Sequence, residues 1–61
     1  MKLVTQMFNN NRRADIGTVL GRHNVVLYEQ DKQVRVVEVH NHSESYAMDV
    51  AQNWINGIIK K

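Results

Sequence analysis

The 61-residue sequence predicts an α+β fold: an antiparallel three- to four-stranded β-meander with one C-terminal α-helix packed on one face. Three observations carry that expectation. The last third of the chain holds an apolar stripe at helical spacing; the middle holds two valine-rich runs joined by a short polar link; and Asn- or Gly-containing breaks separate the shorter apolar runs before them. A chain of this length makes one domain, residues 1–61.

Taken in order, Lys2 to Phe8 (KLVTQMF) reads as a short strand with Leu3, Thr5 and Met7 on one side and Val4, Gln6 and Phe8 on the other. Asn9 to Asp15 (NNNRRAD) reads as a turn or loop, because its asparagines tolerate left-handed backbone and hydrogen-bond locally; it carries Arg12 and Arg13. Ile16 to Leu20 predicts a second strand and Gly21-Arg22-His23-Asn24 a connecting turn. Val25 to Glu29 and Gln33 to His40, dense in β-branched residues and linked around Asp31-Lys32, predict a hairpin. With a two-residue link, Val25, Leu27, Val34 and Val36 share a face with Glu29 and Glu38, while Val26, Tyr28, Val37 and Val39 share the other with Arg35. A three-residue link changes the pairing, but valines occupy both faces either way.

The helix is expected over Ser43 to Lys61 (SESYAMDVAQNWINGIIKK). Ala47, Val50, Ala51, Trp54, Ile55 and Ile58 fall on one side of a 3.6-residue turn, with Trp54 as the main anchor, and Ser43 is a suitable N-cap. Gly57 opposes continuation, either costing roughly 1 kcal/mol within the helix or ending it early.

One helix covers one face of so small a sheet, whereas these strands are apolar on two. Either a second copy or another protein meets the remaining face, or a twisted sheet leaves some valines exposed. Self-association is the expected remedy for a short chain, since without Cys it has no disulfides and no Cys-based zinc site; a homodimer follows. No apolar run reaches the ~20 residues of a membrane span, and Leu3-Val4 does not extend into a signal-peptide core, so no membrane partner and a cytoplasmic protein are expected. The formal net charge of +2 permits nucleic acid without requiring it.

Motifs for chemistry are sparse. His40 and His42 would point one way on a continued strand, but a third metal ligand from His23, Glu44 or Asp49 follows no recognised spacing, so neither metal nor another cofactor is expected. Ser43 and Ser45 lack a Gly-rich elbow, Glu29 and Glu38 have little room for a walled pocket, and Gly17 and Gly21 precede no helix start. No catalytic residue is assigned, and the chain is expected not to be an enzyme. Arg12, Arg13 and Arg22 flank the second strand and Arg35 stands on the hairpin, where they can contact phosphates, although Glu29, Asp31 and Glu38 are interleaved.

Two resemblances accompany these residues. Over roughly Ile16 to Ile59, the succession of sheet and helix is similar in topology to plant AP2-type domains and to some integrase amino-terminal domains, which lay a sheet into the major groove; the aromatic and Arg signatures of the AP2 family are not matched. Over Tyr46 to Ile58 (YAMDVAQNWINGI), the closing helix in a small chain without Cys or Pro resembles the short accessory proteins by which tailed phages bind and modulate a host protein. That resemblance implies a small non-enzymatic protein-binding module acting by surface occlusion, in the host cytoplasm. Tyr28, Arg35, Arg12 and Arg13 are the expected contacts, since Tyr and Arg supply a large share of interface energy. The alternative is a nucleic-acid binder using the loop arginines or the exposed sheet face.

Overall fold

A computed structural model describes residues 1–58 of the chain. Four strands, β1 (Lys2–Asn9), β2 (Arg12–Val19), β3 (Arg22–Glu29) and β4 (Lys32–Glu38), precede one helix, α1 (Glu44–Ile55). The strands pair antiparallel in sequence order, giving the expected meander with all four strands in one sheet.

The turns are tighter than the sequence suggests. Asn9 pairs with Arg12, leaving only Asn10 and Asn11 between the strands, with Asn10 alone at positive φ (57°). Arg12 to Asp15 therefore belong to β2, correcting the expectation of a loop over Asn9 to Asp15 that places both arginines outside the sheet. Likewise Leu20-Gly21 is the whole second turn, and Arg22, His23 and Asn24 open β3 instead of forming a connection. The third turn is Gln30-Asp31, one residue earlier than expected, with Lys32 already in β4. Both central residues are left-handed in the second turn (φ 53° and 77°) and in the third (φ 53° and 64°), the backbone whose twist suits a two-residue hairpin.

Two register shifts decide what each face carries. Between β3 and β4, Leu27 opposes Arg35 and Tyr28 opposes Gln33, so Val34 is an extra residue. Beyond this bulge the faces of β4 exchange: Val37 joins Val25 on the helix side, Val36 joins Val26 on the other, and Arg35 leaves Tyr28 for the side of Leu27. The face assignment expected for a plain two-residue turn is thereby corrected. A similar shift in β1, between Leu3 opposite Gly17 and Thr5 opposite Ile16, leaves Val4 unmatched.

α1 packs against β1, β2 and β3, and its backbone does not approach β4. Ala14, Ile16, Val25, Leu27 and Val39 from the sheet side meet Ala47, Ala51, Trp54 and Ile55, with Met7, Val37 and Val50 partly buried at the margin. Ser43 caps the helix as expected, its Oγ accepting from Tyr46 N at 3.4 Å. The helix stops after Ile55. Gly57 is left-handed (φ 78°), its N–H donates to Trp54 O (3.1 Å), and Ile58 N–H donates to Asn53 O (2.9 Å), a Schellman ending. Gly57 thus ends the helix, and Ile58, expected in the apolar stripe, is 67% exposed. The part of the expected helix at positions 59–61 lies outside the described residues.

Candidate functional site

The two faces of the sheet use their polar groups differently. On the helix side Trp54 is fully buried, and its Nε1 donates to Tyr28 O at 3.0 Å, satisfying the indole without exposing it. Arg12 lies over the Trp54 ring at 4.0 Å, donates through Nη1 to Trp54 O at 3.0 Å and places Nε 3.3 Å from Glu29 Oε2. Asn9 Nδ2 donates to Ile55 O at 3.1 Å. Asn9 thus satisfies a carbonyl that the last helical turn leaves free, while Arg12 adds a second donor to the Trp54 carbonyl, which Gly57 already engages, and sets a cation at the negative end of the helix dipole. Their chemistry is structural.

The opposite face bears no element of the described chain. Alternation and register put three rows on it: Phe8, Arg13, Tyr28 and Gln33; then Gln6, Asp15, Val26 and Val36; then Leu3, Gly17, Asn24 and Glu38. In the first row the Arg13 guanidinium stacks on the Tyr28 ring at 3.9 Å. Its Nε lies 3.2 Å from Asp15 Oδ1, a charge contact without the angle of a hydrogen bond, and Gln6 Nε2 donates to the same oxygen at 3.1 Å. Asp15 is recessed and occupied on both sides, so this face contains no free carboxylate at its centre.

Toward the β2–β3 turn the same face is hollow. A concavity of about 320 Å³ lies among Met1, Val19, Leu20, Val26 and Val36, with Arg22, Glu38 and His40 around its rim. Gly17 makes room for it. A Cβ there would stand 2.5 Å from Met1 Cγ and 2.8 Å from Lys2 O, so the glycine lets Met1 fold over the sheet. Leu20 is 96% exposed, and its φ of 53° lies in the left-handed region that branched or bulky residues avoid. Asn before Gly is the usual choice for such a turn. Neither packing nor backbone preference accounts for a leucine in that place.

The sequence-expected contact residues separate. Arg13 and Tyr28 come together on the free face; Arg12 is engaged at the helix end; Arg35, exposed, stands opposite Leu27 on the helix side of β4. Phe8, 66% exposed, and Leu20 are the functional candidates that sequence reading missed. The Leu20-Gly21 pair, an apolar residue where turn chemistry favours Asn, was the signal for the second.

The histidines do not converge either. His40 Nε2 lies 3.1 Å from Asn24 Oδ1 and 3.6 Å from Glu38 Oε2, His23 Nε2 lies 3.8 Å from Glu44 Oε1, and His42 stacks on Tyr46 with centroids 3.9 Å apart. Among the described residues no three His, Cys, Asp or Glu side chains gather as a metal site. Glu29 and Glu38 fall at opposite ends of the β3–β4 pair, opposite Lys32 and Asn24 respectively. No helix of the described residues is long and apolar enough to cross a membrane. Comparison with protein-family models, curated proteins and solved structures finds no match, so the meaning of this face rests on its own geometry.

Proposed function

We propose that the chain is a small non-enzymatic protein-binding module that acts by occluding a partner's surface through the free face of its sheet, as phage-type inhibitors or modulators of host proteins do in the host cytoplasm. One observation carries the reading: Leu20 stands almost fully exposed, in left-handed backbone, at the lip of an apolar hollow. Strained backbone and exposed apolar surface each cost stability, and their coincidence is expected where a partner supplies the missing contacts. Arg13 and Tyr28, stacked on the same face, are its polar anchors, with Phe8 beyond them. Both sheet edges argue for the face over the edge as the place of contact. Each edge strand carries a bulge, at Val4 or Val34, and a lysine, Lys2 or Lys32, devices that discourage strand addition.

The nucleic-acid alternative draws less support from the arginines. Arg12 and Arg13 leave the strand on opposite sides, each with a carboxylate and an aromatic ring as neighbours.

The test is affinity capture from a candidate host lysate with the wild-type chain, Leu20→Asp and the helix-surface variant Gln52→Glu. One stoichiometric protein retained by wild type and Gln52→Glu but lost by Leu20→Asp is the expected result. Capture indifferent to Leu20→Asp overturns the reading, as does binding to heterologous DNA or RNA that weakens steeply with salt.

A further inference from the structure

Resting on the reading of the free face as a protein-docking surface, we infer that a second copy of this chain covers it, related by a two-fold axis running along the strands between β2 and β3. The first argument is order within the rows. Across the sheet, the row nearest the β1–β2 turn runs from Phe8 through Arg13 and Tyr28 to Gln33. Turned about that axis the row meets its own reverse. Phe8 then faces Gln33 of the second copy, and Arg13 faces Tyr28, reciprocally, as an isologous contact requires. The Arg13 guanidinium, already stacked on one ring at 3.9 Å, offers its other side to a second, an arrangement suited to its planar charge.

The β2–β3 turn lies on the same axis, so the two exposed Leu20 side chains meet beside it. A two-fold across the strands through the middle row would set Asp15 directly against Asp15 of the second copy. Along the strands Asp15 instead faces Val26, and it is already held by Gln6 and Arg13.

Area sets the strength. Eight-residue strands rising ~3.3 Å per residue, four abreast at ~4.8 Å, present a face of about 500 Å² before side-chain relief. Two such faces reach the ~1,000 Å² that a specific contact needs and fall short of the standard ~1,600 Å². An interface of this size belongs to the weak, transient class, and an external partner competes with it for the same face.

Two measurements decide it. Sedimentation equilibrium from low to high micromolar concentration is expected to show a monomer–dimer equilibrium that Phe8→Asp weakens at least tenfold and Gln52→Glu leaves alone, both variants keeping the wild-type far-ultraviolet spectrum. In the chain Phe8 and Gln33 are three strand spacings, roughly 14 Å, apart, whereas facing sheets pack ~10 Å apart, too far for the ~7 Å reach of a disulfide and close enough for a short bis-maleimide. A bis-maleimide too short to span the in-chain separation should therefore couple the Phe8→Cys/Gln33→Cys double variant into a covalent dimer and leave the Phe8→Cys single variant uncoupled. A monomer at every concentration, a dimer indifferent to Phe8→Asp, or a double variant that stays uncrosslinked overturns the inference. The docking reading then stands or falls separately, by whether lysate capture still depends on Leu20.

Discussion

The two faces of one small sheet are built to opposite rules. Under the helix, Ala14, Ile16, Val25 and Leu27 are fully buried, and the polar groups at the margin, Arg12 and Asn9, are spent on helix-end carbonyls and the Trp54 ring. On the free face the recessed centre is polar and internally satisfied through Gln6, Asp15 and Arg13, while the apolar side chains Phe8, Val36, Met1 and Leu20 stand out around it. Burial alone explains the first arrangement. The second makes sense as a surface that stays soluble when uncovered and still offers apolar contacts when covered.

The largest effect that would sharpen this contrast is loss of the plug. Trp54→Ala should cost about 3–5 kcal/mol, most of the stability a domain of this size is expected to have, and leave the chain largely unfolded in a urea titration. Retained cooperative unfolding at the wild-type midpoint would break the account of the helix side. Gly17→Ala comes next, at about 1–3 kcal/mol, because the new Cβ meets Met1 and the Lys2 carbonyl and must push β1 aside. Its signature is faster amide exchange in β1 than in β3.

The adjacent arginines give the sharpest comparison. Arg12→Ala should cost about 1–2 kcal/mol, losing a charged hydrogen bond to Trp54 O and the contact with the indole, whereas Arg13→Ala should cost less than about 1 kcal/mol. Chemical denaturation of the two variants side by side checks the order; equal losses would show that the faces differ less than their contacts imply. Smallest is Leu20→Asn, which places the preferred residue in the left-handed turn and should stabilise by about 0.5–1 kcal/mol, read as a raised Tm, while weakening capture of any partner.

Much of this architecture could be read from the sequence because its cues are local. The spacing of Ala47, Ala51, Trp54 and Ile55 dictates a helical stripe, Ser43 its start, and the valines of β3 and β4 a hairpin. What could not be read was register. Val34 is one residue in a run of similar residues, and only its pairing across the sheet shows that it is extra; that single position moves Arg35, Val36 and Val37 to faces a plain turn does not give them. The length of the first turn was hidden for a related reason, since three asparagines are compatible with a loop and only Asn10 takes left-handed backbone. Arg13 with Tyr28 was legible as a pair of residue types, and its separation from Arg12 follows from alternation once Arg12 is placed in a strand.

The claim that the free face is the working surface is tested most directly by methyl NMR across a concentration series of the wild-type chain. Concentration-dependent shifts of the Leu20, Val26 and Val36 methyls, with those of Val25, Leu27 and Ala51 unmoved, are predicted. Shifts confined to the helix surface around Met48, or none on the free face at any concentration together with capture that ignores Leu20, would contradict it.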